Sequence, residues 1–394
     1  MTLIAGRDSV CQGALGAVTL VGMGMGSMVP FAVSALAPLV IAEFGWSRTR
    51  YGSLITLTFG VGMLLSISAG KYADSSQGPR SLLYLLLASA TTALFVLSSG
   101  TSYAVMAVGA AVGGAAMSLA NPSTNKLISA FGAPKQTGLL IGIKQSGVQV
   151  GTFLSGVILP PLATLFGWRV SLRIAGAIPL ICAFMVVLVV PSRWPSMRSS
   201  QSARRPVGIW WLMGYAYLMG GGLSAATYYL PLYAHERLGF ANSTAGIFLS
   251  AVGVMRIASR VLAGHYANRI HDESWLLISF SGIAAVAQVL VWLAETSGAA
   301  FLWAGSLLLG TSAVAWNAVV MLVVVRRTGF GSAGHATGLV SLAFYGGLII
   351  GPTLFGVIVD RTNSYGTGWF VATLHFVAAL VVVLVNRHSR VSVG

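Results

Sequence analysis

The chain has 394 residues, of which 56% are hydrophobic and only 8% charged, with 48 glycines and a formal net charge of +15. Soluble domains carry about 25% charged residues, so this composition excludes an ordinary water-soluble globule and describes a chain that crosses a bilayer many times. The positive balance does not point to nucleic acid, because the basic residues fall in short segments between apolar spans, where they set orientation.

Apolar spans separated by Gly, Pro and charge can be counted in order. They lie near residues 13–42, 47–69, 81–99, 102–130, 136–165 and 169–190, then near 207–235, 241–267, 274–295, 299–326, 333–360 and 367–386. A spanning helix needs roughly 20 mostly apolar residues, which each of these supplies. Residues 191–206, PSRWPSMRSSQSARRP, are the only polar stretch of that length and read as a linker. The expected fold is an all-α membrane protein of twelve transmembrane helices, with one six-helix bundle over 1–190 and a second over 207–394. With both termini in the cytoplasm, fourteen of the 23 lysines and arginines fall on that side, six on the other and three within spans. That asymmetry favours cytoplasmic termini in a bacterial-type inner membrane. No removable leader is expected, since Arg7 alone precedes a long first span and no small-residue cleavage site is present. Cys11 and Cys182 offer neither a disulfide framework nor a metal site, and no cofactor is expected.

An internal repeat organises the whole chain. GKYAD, Gly70–Asp74, aligns with GHYAN, Gly264–Asn268, at an offset of 194, where Gly45 also meets Gly239 and Gly52 meets Gly246. Asn121 meets Asn317 at 196, and Gly147, Gly151 and Gly156 meet Gly347, Gly351 and Gly356 at 200. Gly167-Trp168 closes the series against Gly368-Trp369 at 201. A slowly drifting offset with the order kept indicates duplication. Two halves of like topology imply a two-fold axis along the membrane normal, with a binding site between them near the midplane.

GKYADSSQGPR resembles the loop between helices two and three of major facilitator superfamily transporters, and the likeness covers essentially the whole chain. The resemblance implies a conformational latch at Gly70, Asp74 and Arg80, repeated in partial form by Gly264, Asn268 and Arg269. Gly70 lets helices approach, and Asp74 can face a helix N-terminus. Ser75 stands where that loop usually carries a base, and Asn268 replaces the acid in the second copy. GMGMG, Gly22–Gly26, lies inside an apolar span with no strand before it or Lys-Ser/Thr after it, and reads as close helix packing rather than a phosphate loop.

The charged residues inside the spans are all cations. The eight acids (Asp8, Glu43, Asp74, Glu236, Asp272, Glu273, Glu295 and Asp360) all fall at or near span ends. Carriers of cationic drugs usually need a buried carboxylate, so this distribution argues against drug export. Arg256, near the middle of the span around residues 245–268, would cost about 2.5–3.5 kcal/mol to insert unless it faces water or a partner. It admits two readings, an anion ligand or a structural partner of carbonyls and polar side chains. Organic-anion members of the superfamily, the oxalate–formate exchangers and monocarboxylate carriers, also use an arginine on the eighth helix, and the resemblance gives Arg256 that role. The exchangers' lysine on the eleventh helix is not matched, since residues 344–346 are Phe-Tyr-Gly.

Lys144, in GIKQSG, is the candidate second positive charge, with snorkelling to the interface as the competing reading. Arg260, one turn beyond Arg256, reads first as a snorkelling or gating residue. Asn121, Asn125, Gln145, Tyr228, Tyr229, Asn317 and Tyr345 can complete a pocket by donating to a carboxylate or walling its apolar part, although such residues also serve as glue between helices. His235, near the end of its span, can titrate during transport or stay silent. The expected activity is secondary transport of a small organic anion, a mono- or dicarboxylate, by alternating access, as exchanger or proton symporter. The partners are then that anion, protons and the lipid bilayer, the chain is a monomer, and no enzymatic chemistry is expected. Efflux of a neutral or zwitterionic drug or metabolite is the alternative, and a receptor or assembly factor on a transporter fold is a further class.

Overall fold

A computed structural model describes residues 12–75, 79–133, 136–190, 209–267, 273–312 and 333–391, with isolated positions between 314 and 324. Every regular element among the described residues is a helix: α1 (Gln12–Ala35), α2 (Ala37–Phe44), α3 (Arg48–Ser75), α4 (Pro79–Ser98), α5 (Tyr103–Phe131), α6 (Thr137–Phe166), α7 (Trp168–Val189), α8 (Trp210–Glu236), α9 (Asn242–Ala267), α10 (Glu273–Ser297), α11 (Ala299–Ser312), α12 (Ala333–Thr362) and α13 (Tyr365–Val391). Eight of these are long and apolar enough to cross a membrane. In hydrocarbon every backbone N–H and C=O must bond within its own segment, which a helix achieves.

The single first span expected over 13–42 is corrected to two helices that meet at a turn on Leu36. Pro38 carries no N–H to donate to Ser34, and its ring crowds that carbonyl, so the helix breaks there although the apolar run continues. Gly45 and Gly239, matched in the repeat, then turn the chain at φ +60 and +71, a region where a side chain would be strained.

The chain clusters into two compact units, residues 1–40 with 57–199 and residues 41–56 with 200–394. Residues 41–56, the start of α3 included, therefore pack within the second unit. Inside the first unit α1 packs on α6 and α5, and α4 packs on α5 and α7. Inside the second, α8 packs on α12 and α13, while α10 packs on α11 and α13. The duplication in the sequence is thus a duplication of helix packing. Its tightest seams carry the repeated glycines. A Cβ on Gly147 would lie 2.0 Å from the Leu20 carbonyl oxygen, and one on its counterpart Gly347 would lie 2.1 Å from the Tyr217 carbonyl oxygen. Only glycine lets two helix backbones approach that closely.

Candidate functional site

In the first unit, α6 carries Lys144 seven residues past its start, and the side chain is only 1% exposed. The ammonium is turned inward onto α5 rather than out to the surface. It donates from Nζ to Asn121 Oδ1 at 2.9 Å and to Asn125 Oδ1 at 2.5 Å. Asn121 and Asn125 stand one turn apart on α5, so their side chains share a face and converge on one atom. Asn121 is half-buried and Asn125 exposed, which makes the two amides the cover over the ammonium. Gln145, beside Lys144 on α6, is half-buried.

In the second unit, Arg256 on α9 is 3% exposed. Its Nη2 donates to Thr227 Oγ1 on α8 at 2.6 Å, while the Thr227 hydroxyl donates to Leu223 O at 2.7 Å. The threonine therefore turns a lone pair toward the guanidinium. Tyr228 is the next residue on α8, and the Arg256 guanidinium and the Tyr345 hydroxyl both act on its hydroxyl electrostatically. Tyr345 tilts against Phe344 at 6.0 Å, Phe344 meets Trp316 edge-on at 5.3 Å, and half-buried Asn317 follows Trp316. Arg256, Tyr228 and Tyr345 thus form one neighbourhood.

Tyr229 does not join them. Its hydroxyl faces two carbonyls, Arg48 O at 2.7 Å and Pro352 O at 2.9 Å, and the residue is buried completely. Adjacent residues on a helix do not face the same way, and Tyr229 ties α8 to α3 and α12 instead. Arg260 keeps no described side chain, so its snorkelling or gating role lies outside the described residues.

A second charged cluster was not anticipated. At the end of the unit where α3 begins and α8 and α12 finish, Arg48 donates to Glu236 Oε2 from Nη2 at 2.7 Å and from Nε at 3.2 Å. Tyr365 donates to the same oxygen at 2.7 Å. Asp360 accepts from the backbone N–H groups of Arg48 at 3.0 Å and Thr49 at 2.7 Å, and from the Thr49 hydroxyl at 2.6 Å. An anion at a helix N-terminus meets unpaired N–H groups and the positive end of the dipole. Arg237 pairs with Glu295 nearby in sequence to this cluster. The one available signal in the sequence was that Arg48, Glu236, Arg237 and Asp360 all terminate spans. His235 Nδ1 contacts Phe240 O at 2.7 Å and closes the turn after α8.

Of the expected latch, Gly70 lies in α3, and Arg80 Nε donates to Val190 O at 2.7 Å. The Asp74 side chain lies outside the described residues, as do Asn268, Arg269 and the surroundings of Gly264. Lys126 on α5 donates to the Ala73 carbonyl, in the last turn of α3. A cation at the last turn of a helix also meets the negative end of the dipole.

A duplicated all-helical chain with its buried charges held inside the bundles defines a multi-pass membrane carrier. The sequence matches the Major Facilitator Superfamily over residues 14–352, and the chain belongs to that family. It is similar to the probable nitrate/nitrite transporter NarK2 of Mycobacterium tuberculosis, 27% identical over 359 residues that cover 85% of this chain and 87% of that protein. It is also similar to monocarboxylate transporter 11 of Homo sapiens, 28% identical over 249 residues, covering 58% of this chain and about half (51%) of that protein. Among solved structures, a bacterial homologue of the human lysosomal transporter Spinster, inward-facing and occupied, superposes with a TM-score of 0.82 at 16% identity, covering 96% of this chain and 97% of that one. Likeness at that identity concerns the fold.

Proposed function

We propose that the protein is a secondary active transporter of a small organic anion, a mono- or dicarboxylate, working by alternating access as an exchanger or a proton symporter. The observation that carries this reading is Arg256, a guanidinium buried within α9 that donates to the hydroxyl of Thr227 on α8. α9 holds no acid, and the only acid on α8 is Glu236 at its far end, engaged by Arg48 and Tyr365. An arginine buried inside a span is costly to insert unless it meets water, a partner or a ligand, and an anionic cargo is such a ligand. The relatives named for nitrate, nitrite and monocarboxylates agree with that chemistry.

In this reading Arg256 is the principal ligand, with Tyr228, Tyr345 and Asn317 around it. Lys144, Asn121, Asn125 and Gln145 supply a second polar group on the other repeat. The two six-helix halves, the 191–206 linker and both termini are assigned as the charge pattern suggests, with linker and termini in the cytoplasm of an inner membrane. The Gly70–Arg80 and Gly264–Arg269 copies act as the latch. Purified protein in liposomes preloaded with nitrate, pyruvate or malonate tests the reading: it requires counterflow of labelled pyruvate or malonate, and counterflow of nitrate alone, or of none of the three, overturns it.

A further inference from the structure

Lys144 sits where a permanent charge is poorly supported and a changeable one is well supported. The ammonium has three N–H donors, and two of them go to neutral amide oxygens. The elements packed most closely against α6 are α1, α5 and α7. α1 contributes no titratable or charged side chain. α5 contributes Tyr103 at its far end and Lys126, which is directed to Ala73 O. α7 contributes Arg169, which donates to Gly100 O, together with Arg173 and Cys182. Among the described residues, no carboxylate therefore stands on α6 or on these three helices.

The choice of amides is itself informative. A carboxylate could only accept, and would hold the lysine as an ammonium. An asparagine presents an oxygen to an ammonium and, rotated about its last torsion, an N–H to the lone pair of a neutral amine. Asn121 and Asn125 can therefore hold either form of Lys144. An anion arriving nearby favours the charged form, and by linkage protonation raises the affinity for the anion by the same factor. With every acid in the chain at or near a span end, this lysine is the basic residue of the first repeat that lies furthest from the ends of its described helix.

We propose that Lys144 carries the co-transported proton, taking it up on Nζ as the anion binds and returning it as Lys–NH2 plus H+ when the anion leaves, which makes the protein a proton–anion symporter. This rests on the anion-transport reading above, and the test separates the two. Proteoliposomes clamped at zero potential are assayed with labelled nitrate, pyruvate or malonate, first for counterflow and then for accumulation under a pH gradient of one unit, acid outside. Wild type should accumulate a monoanion about tenfold, the ratio that one proton per anion sets. Lys144→Arg, which keeps a charge that arginine does not give up, should retain counterflow at a reduced rate and lose the accumulation. Asn125→Asp, which fixes the ammonium with a counter-ion, should do the same. Wild-type counterflow without accumulation, or accumulation surviving in either variant, overturns the coupling role and leaves anion transport standing. Loss of counterflow in both variants assigns Lys144 to anion holding alone and also overturns it. Absence of wild-type counterflow overturns the transport reading and this inference together.

Discussion

Asp360 closes the first turn of α3 at Thr49, accepting from its backbone N–H at 2.7 Å and from its hydroxyl at 2.6 Å. Ser47 caps the turn locally, its hydroxyl accepting from Arg50 N–H at 3.2 Å, but no acid stands in that first turn, and the anionic cap comes from 311 residues further along the chain. Together with the Arg48–Glu236 pair and the Tyr229 hydroxyl, it holds the start of α3 in the second unit. Asp360→Asn keeps the shape and removes the charge from bonds to a helix N-terminus, an effect of about 1–2 kcal/mol. Amide exchange over residues 48–56 should accelerate by about 5- to 30-fold, the factor that such a free energy represents. Unchanged protection would mean that Glu236 and Tyr229 hold the segment without it.

Close packing of α1 on α6 makes a prediction with a control on the same helix. A Cβ on Gly147 would meet the Leu20 carbonyl at 2.0 Å, while one on Gly142 meets nothing within 4 Å. Backbone cannot swing aside as a side chain can, so Gly147→Ala should destabilise the first unit by about 1–3 kcal/mol or more. Gly142→Ala should be neutral or slightly stabilising, because alanine is the better helix former. Thermal unfolding of the two purified variants distinguishes them, and equal melting temperatures would contradict the close approach.

Much of this architecture is legible in the sequence because a bilayer simplifies the code. Span lengths, the 194–201 offsets and the glycines that recur at 200 are local or periodic signals. The break at Leu36 was hidden because Pro38 sits in an apolar run that periodicity alone reads as continuous. Lys144, Asn121 and Asn125 could each be named, and the i, i+4 spacing of the two asparagines hinted at a shared partner. Tyr228 and Tyr229 were treated alike, although neighbours on a helix diverge by about 100°. That Arg48, Glu236 and Asp360 end spans was visible, but their pairing was not, since partners 188 and 312 residues apart leave no local pattern.

Lys126 gives a prediction at the other end of α3. Its ammonium serves the Ala73 carbonyl in the last helical turn, whereas Lys71 on the same helix is exposed. Lys126→Met should fray residues 70–75 and weaken the first unit by about 0.3–1 kcal/mol, and Lys126→Arg should restore most of it. Lys71→Met should leave both unchanged. Exchange protection near Ala73 reads the difference, and equal effects at Lys71 and Lys126 would reduce the contact to general surface charge.

Arg256 is the residue on which the functional reading turns. Its guanidinium is aligned by Thr227, whose own proton is directed to Leu223 O. Hydrogen bonds to a charged group are worth about 1.5–3 kcal/mol, so Arg256→Gln should weaken binding of the transported anion by about 10- to 100-fold. Arg256→Lys keeps the charge but loses the planar fork, and should fall between the two. Thr227→Val leaves the charge in place without its alignment and should weaken binding less than Arg256→Gln. Thermal stabilisation by added anion reads these affinities directly, since a ligand at 100 times its Kd raises stability by about 2.7 kcal/mol. If wild type and Arg256→Gln were stabilised equally by the anion that wild type exchanges, the charge would not belong to the binding site, and the ordering of the three variants would have no basis.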